Sequence, residues 1–145
     1  MEFPLSELTS ILHSNEPLEG IVSIFGDFGV GKTTLALQIS LMKASKNEKI
    51  VYIYTKPTLP SQKIELLVSN NSPEVLDEII FIECTNFKDL FDLIFNLEFL
   101  VLANLEKHEE MLNFIVIDSL TELYRIELNR EKKETNLNLN YKLNQ

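Results

Sequence analysis

All four glycines of this 145-residue chain fall between Gly20 and Gly31. Three of them punctuate Gly26-Asp27-Phe28-Gly29-Val30-Gly31-Lys32-Thr33, with Thr34 following. The spacing is G-x-x-x-x-G-K-[ST], a loop that cradles phosphates. Glycine permits positive φ and removes the Cβ that would hold an anion away from the backbone. Successive N–H groups then turn inward as a nest. A lysine at position 32 reaches the β- and γ-phosphates, and the Thr33 hydroxyl suits a Mg²⁺ ion. Such a loop must join a strand to a helix. Ile21-Val22-Ser23-Ile24-Phe25 reads as a buried strand. Thr33–Ala44 reads as a helix whose N-terminus adds its positive dipole end. The plain alternative is an ordinary glycine turn.

The rest of the chain alternates in the same way. Ile50–Thr55, Ile79–Glu83 and Phe114–Ile117 read as strands, the last ending in Asp118. Helices are predicted over Ser61–Ser69, with Ser61 as cap, over Phe87 to about Leu105, with Asn86 as cap, and over Ser119–Arg130. Ser6–Leu12 reads as an amphipathic turn or helix, and Glu74–Asp77 as a helical turn. Strands alternating with helices imply an α/β fold, a mainly parallel sheet with right-handed crossovers. Ligands of such sheets lie at the carboxyl ends of the strands, where both the glycine loop and Asp118 fall. The expected organisation is a lead-in over 1–20, a nucleotide-binding core over 21–130 and a polar, Asn-rich tail over 131–145.

A net charge of −9 and only two arginines, Arg125 and Arg130, argue against general nucleic-acid binding. Any DNA contact would have to come from a local patch, from a partner (an indirect contact) or from residues absent here. Cys84 has no cysteine to pair with, which fits a reducing, cytoplasmic setting and a small core residue. The N-terminus carries no basic region of a signal peptide. Phe87–Leu105 is interrupted by charges and is not a membrane span. His13 and His108 lack partners at ligand spacing. Glu106–Glu110 reads as a solvated acidic loop. Phe87, Phe91, Phe95 and Phe99 read as a core-facing stripe, or as a docking face for another subunit.

A phosphate loop needs a second Mg²⁺ anchor, usually an aspartate after an apolar strand. Phe114-Ile115-Val116-Ile117-Asp118-Ser119 supplies one. With both halves in hand, the chain resembles the ATPase core of the RecA/RadA recombinase superfamily, and most of all the archaeal RadB-type paralogues. The matching stretches are Ile24-Phe25-Gly26 through Gln38, Val51-Tyr52-Ile53, Phe81 through Phe87, and Ile115 through Arg125, with Asp118-Ser119-Leu120-Thr121 and Tyr124-Arg125 the narrowest signature. The resemblance implies a P-loop NTPase of RecA-like core with the C-terminal part of that core missing. It implies ATP and Mg²⁺ as cofactors and a role in homologous recombination and DNA repair. It also implies work beside DNA and recombinase subunits, with a homo-oligomer as one form. Residues 26–34 (Gly26, Asp27, Phe28, Gly29, Val30, Gly31, Lys32, Thr33 and Thr34) would bind the nucleotide. Lys32 would act catalytically, and Thr33 with Asp118 would hold the metal.

One departure stands out. Relatives usually show Asp-Thr-Glu-Gly where this chain has Tyr54-Thr55-Lys56-Pro57. The glutamate orients the attacking water, whereas an ammonium has no lone pair to accept a proton. Loss of a general base costs ~10²–10⁴-fold in rate. The expectation is ATP binding with weak or absent hydrolysis, or else a non-hydrolysing, ATP-gated regulatory subunit. Lys56 then either contacts the γ-phosphate or is a solvated strand-end lysine. A small-molecule kinase fits less well, since no arginine-rich lid is visible.

Overall fold

The structure is a computed structural model that describes residues 20–69, 73–107, 112–130 and 141–143. In chain order the elements are helix α1 (Lys32–Ala44), strand β1 (Lys49–Tyr54), helix α2 (Ser61–Val68), a 3-10 segment (Pro73–Glu78), strand β2 (Ile79–Glu83), helix α3 (Phe87–Lys107), strand β3 (Leu112–Asp118) and helix α4 (Leu120–Arg130). The three strands form one parallel sheet in the order β2-β1-β3. Tyr54 at the end of β1 lies opposite Glu83 on one side and Asp118 on the other. The three carboxyl ends are therefore level.

β1 is central, and its side chains alternate between two cores. Ile50, Tyr52 and Tyr54 face a cluster with Leu37, Leu41 and Ala44 of α1, Ile64 and Val68 of α2, and Ile79. Val51 and Ile53 face Phe87, Leu90 and Leu97 of α3, Cys84, and Leu123 of α4. A strand covered on both faces reads as an unbroken apolar run, which Ile50–Tyr54 is. Each such large side chain contributes about 1.5–3 kcal/mol when fully buried. α1 presents Leu37, Leu41 and Ala44 on one stripe, so the helix is pinned at the sheet by its own periodicity. Asn86 caps α3 as expected: its Oδ1 accepts from the Asp89 N–H at 2.8 Å.

Three expectations need correction. Ile21–Phe25 forms no strand, and all five residues are exposed, Ile21 at 98% and Phe25 at 93%. The propensity is present, but a strand forms only with a neighbouring strand to bond to. No described strand pairs with this segment; β3 pairs with β1 alone. Ser61 is the first residue of α2 and not its cap; Pro60 takes that place, with no side-chain cap bond. The phenylalanine stripe turns outward along α3, from buried Phe87 to Phe95 at 49% and Phe99 at 68% exposed. The packed stripe is instead Phe87, Leu90, Leu93 and Leu97, spaced by threes and a four as a 3.6-residue helix requires.

Ser6–Leu12, His13, His108 and residues 109–110 lie outside the described residues, as does the tail apart from 141–143. The expected acidic loop at Glu106 begins inside α3, which runs to Lys107. Among the described residues no helix is long and apolar enough to cross a membrane.

Candidate functional site

The loop leads into α1 through left-handed backbone. Gly29 has φ 84° and Gly31 has φ 95°. These are values that a side chain makes costly, which is why glycine stands at both. Gly31 is the N-cap of α1 and, lacking a side chain, offers its first amides no side-chain acceptor. The first turn also carries no acidic residue. The Leu35 N–H closes the first turn on the Gly31 carbonyl at 2.9 Å. The amides of Lys32, Thr33 and Thr34 thus keep the orphan status of a helix start, and the dipole's positive end faces the loop.

Lys32 folds back along the loop. Its ammonium donates to the Gly26 carbonyl at 2.8 Å and to the Asp27 carbonyl at 2.6 Å. Those bonds tie the loop's two ends together and hold the cation where the glycine backbone curves. Asp27, Phe28 and Val30 are exposed around it.

Asp118 is the other half, and two residues position it, Tyr52 on β1 and Thr55 just beyond it. The Tyr52 hydroxyl, fully buried, donates to Asp118 Oδ2 at 3.2 Å. Burial, and then the carboxylate's charge, push the Tyr52 phenol far above its ordinary range, so it stays a neutral donor. The Thr55 N–H donates to the Asp118 backbone carbonyl at 3.0 Å. The Thr55 hydroxyl donates to the Ser119 carbonyl and accepts from the Ser119 N–H, both at 2.8 Å. Thr55 therefore clamps the backbone directly after Asp118.

Lys56 joins the two halves. Its Nζ donates to Thr33 Oγ1 at 2.8 Å and lies 3.4 Å from Asp118 Oδ1. Thr33 and Asp118 were brought together by the sequence argument as a Mg²⁺ pair, and the fold does bring them together. Oxygen donors of this kind suit Mg²⁺, which takes them at about 2.0–2.1 Å in an octahedron. Here, however, both oxygens are already bridged by a cation. Mg²⁺ does not fit between them while Lys56 is there. Among the described residues no group of three His, Cys, Asp or Glu side chains converges as a ready-made metal site.

The structure brings Thr33 and Asp118 to one Lys56 ammonium and folds Lys32 back onto the Gly26 and Asp27 carbonyls. Sequence reasoning missed Tyr52 and Thr55. The signal was available: a tyrosine within a strand buried on both faces, and a threonine at its apolar end, must each find a hydrogen-bond partner.

A glycine loop opening a helix, beside an aspartate ending a strand of a parallel three-stranded sheet with flanking helices, is the arrangement of an α/β core of the RecA-like kind. The chain belongs to the Rad51 family, whose model matches residues 5–143. It is 35% identical over 138 residues to the DNA repair and recombination protein RadB of Methanococcus maripaludis (strain C5 / ATCC BAA-1333), covering 94% of this chain and 57% of that protein. It is 33% identical over 133 residues to the protein of the same name from Methanocaldococcus jannaschii, covering 92% of this chain and 58% of the relative. The likeness to the Thermococcus sibiricus protein of that name is 30% over 120 residues, 81% of this chain and 48% of the other. The chain thus spans about half the length of these curated relatives, and the likeness places it close to RadB within the RecA/RadA superfamily.

Proposed function

We propose that this chain binds ATP through residues 26–34 and serves in homologous recombination and DNA repair as a RadB-like protein that turns ATP over slowly or not at all. The observation that carries the reading is the loop itself: left-handed Gly29 and Gly31 deliver an uncapped helix start beside Lys32. The loop amides would cradle the phosphates, and Lys32 would exchange its two carbonyl acceptors for phosphate oxygens. Thr33 and Asp118 are the residues a Mg²⁺ ion would need, and the Lys56 ammonium stands between them.

Slow turnover follows from position 56. The side chain that reaches the junction of loop and strand is an ammonium, which orients no water as a base. The same fact favours the second reading, a non-hydrolysing ATP-gated subunit that regulates a recombinase. With a net charge of −9, contact with DNA would run through a partner or a local patch. Self-association is a further property for test.

Calorimetric titration of ATP into the folded chain, with Lys32→Ala as control, tests the site. Wild-type binding that Lys32→Ala abolishes is the expected result; no wild-type binding refutes it. Steady-state hydrolysis with and without DNA separates the two readings, since turnover at ~1 s⁻¹ or above is ordinary catalysis and excludes the passive subunit.

A further inference from the structure

We infer that the Lys56 ammonium is the resident cation of this nucleotide site, so that nucleotide binds without a divalent metal. The inference rests on the nucleotide reading above and deepens it. Three observations carry it.

The first is place. Nζ contacts the hydroxyl of Thr33, at the first turn of α1, and faces the carboxylate of Asp118 across from it. A metal held by Thr33 and Asp118 would have to contend with Lys56 for those same two groups. The second is burial. Asp118 has only 11% of its side chain exposed, and Lys56 31%. A carboxylate withdrawn this far from water needs compensating charge nearby, and the Lys56 ammonium at 3.4 Å supplies it. The third is rigidity. Tyr54 and Thr55 are buried immediately before Lys56, and Pro57 follows it. A following proline disfavours helical backbone at position 56, which restricts the directions its side chain can take. Less entropy is then lost when the ammonium settles between its partners.

The chemistry differs from that of a metal in two ways. An ammonium supplies one positive charge and three donors, so it can serve Thr33, Asp118 and a phosphate oxygen together. It cannot polarise a water molecule as a divalent ion does. A site built on it would hold a nucleotide and leave it unreacted. Mg²⁺ would compete with Lys56 for oxygens, so added metal would not tighten binding in proportion.

The test uses the whole chain and measures affinity for ATP and ADP in EDTA and in millimolar MgCl₂. Wild-type dissociation constants should agree within about threefold between the two buffers. Lys56→Met, of similar length and uncharged, and Lys56→Gln should each become metal-dependent, weakening at least ~10-fold in EDTA relative to MgCl₂. Wild-type binding that itself weakens ~10-fold or more in EDTA overturns the inference while leaving the nucleotide site standing. Variants that bind as wild type does in both buffers overturn it equally. Folded wild-type protein, checked by circular dichroism, with no affinity in either buffer overturns the nucleotide reading and this inference with it. The wild-type comparison needs no variant to fold.

Discussion

Thr55→Val is the substitution most able to expose how the site is held. Valine keeps the branched shape and nearly the volume of threonine but has no hydroxyl. The native Oγ1 both donates to and accepts from the backbone of Ser119, at 2.8 Å in each direction. Each bond contributes about 1 kcal/mol net, and a backbone group left without a partner away from water costs about 1–3 kcal/mol. Thr55 is buried, at 3% exposure, while Ser119 is half-buried, so water offsets part of the loss. The expected cost is about 2–3 kcal/mol. Thr55→Ser is the matched control: it keeps the hydroxyl and loses one methyl, worth about 1 kcal/mol. The smaller chemical change in shape should therefore be the more damaging one. Urea unfolding followed by far-ultraviolet circular dichroism reads both, since the chain has no tryptophan to report by fluorescence. An unchanged m-value with a lowered midpoint locates the effect in stability. Thr55→Val costing less than Thr55→Ser, or less than about 0.5 kcal/mol, refutes the clamp.

Four further outcomes are expected. Leu90→Ala, at a fully buried position facing Val51 and Ile53, should lower unfolding stability by about 2–5 kcal/mol in the same assay. Phe25→Ser should change stability by less than about 0.5 kcal/mol, because the ring is 93% exposed, and should raise solubility in a precipitation assay. Burial, and then Asp89, raise the Cys84 thiol above its ordinary value of 9.0. The folded chain therefore keeps its proton where the unfolded chain begins to lose it. The stability this confers is complete below pH 9 and declines as pH rises from there, and Cys84→Ala should flatten that decline in urea titrations. Lys56→Glu sets a second carboxylate beside Asp118, so Mg²⁺ should raise its thermal midpoint and leave that of the wild type nearly unchanged.

Most of the layering was readable because β1 and α1 carry period and composition together. Ile50–Tyr54 is apolar throughout and β-branched at Ile50, Val51 and Ile53, and Leu37, Leu41 and Ala44 repeat at helical spacing. Asp118 was readable because an apolar strand that stops at a carboxylate is a pattern of its own. Three things were not. Ile21–Phe25 has strand composition without a bonded neighbour, and composition carries no information about neighbours. The orientation of Phe95 and Phe99 was lost because spacing by four drifts around a 3.6-residue helix, here by enough to carry the outer rings off the core. The role of Lys56 was open because its partners lie 23 and 62 residues away in sequence, Thr33 before it and Asp118 after it. A contact of that range is set by packing and leaves no local trace.

The way the loop is placed has a consequence for the whole site. In this structure the loop is not continuous with the sheet, because the segment before it pairs with no described strand. Its position relative to Asp118 is set from the other side, by α1. Leu37, Leu41 and Ala44 seat that helix against β1, and the seat fixes where Thr33 stands. Lys56 then spans the interval from Thr33 to the end of β3 with one hydrogen bond and one ion contact. Helix packing is short-ranged and steep, since core side chains sit at near-crystalline density. A single long side chain is soft by comparison. The division of labour follows: the apolar face of α1 brings the two halves of the site within reach, and Lys56 decides how closely they approach. Substitutions under α1 should therefore disturb fold and site together, whereas substitutions at Lys56 should disturb the site more than the fold.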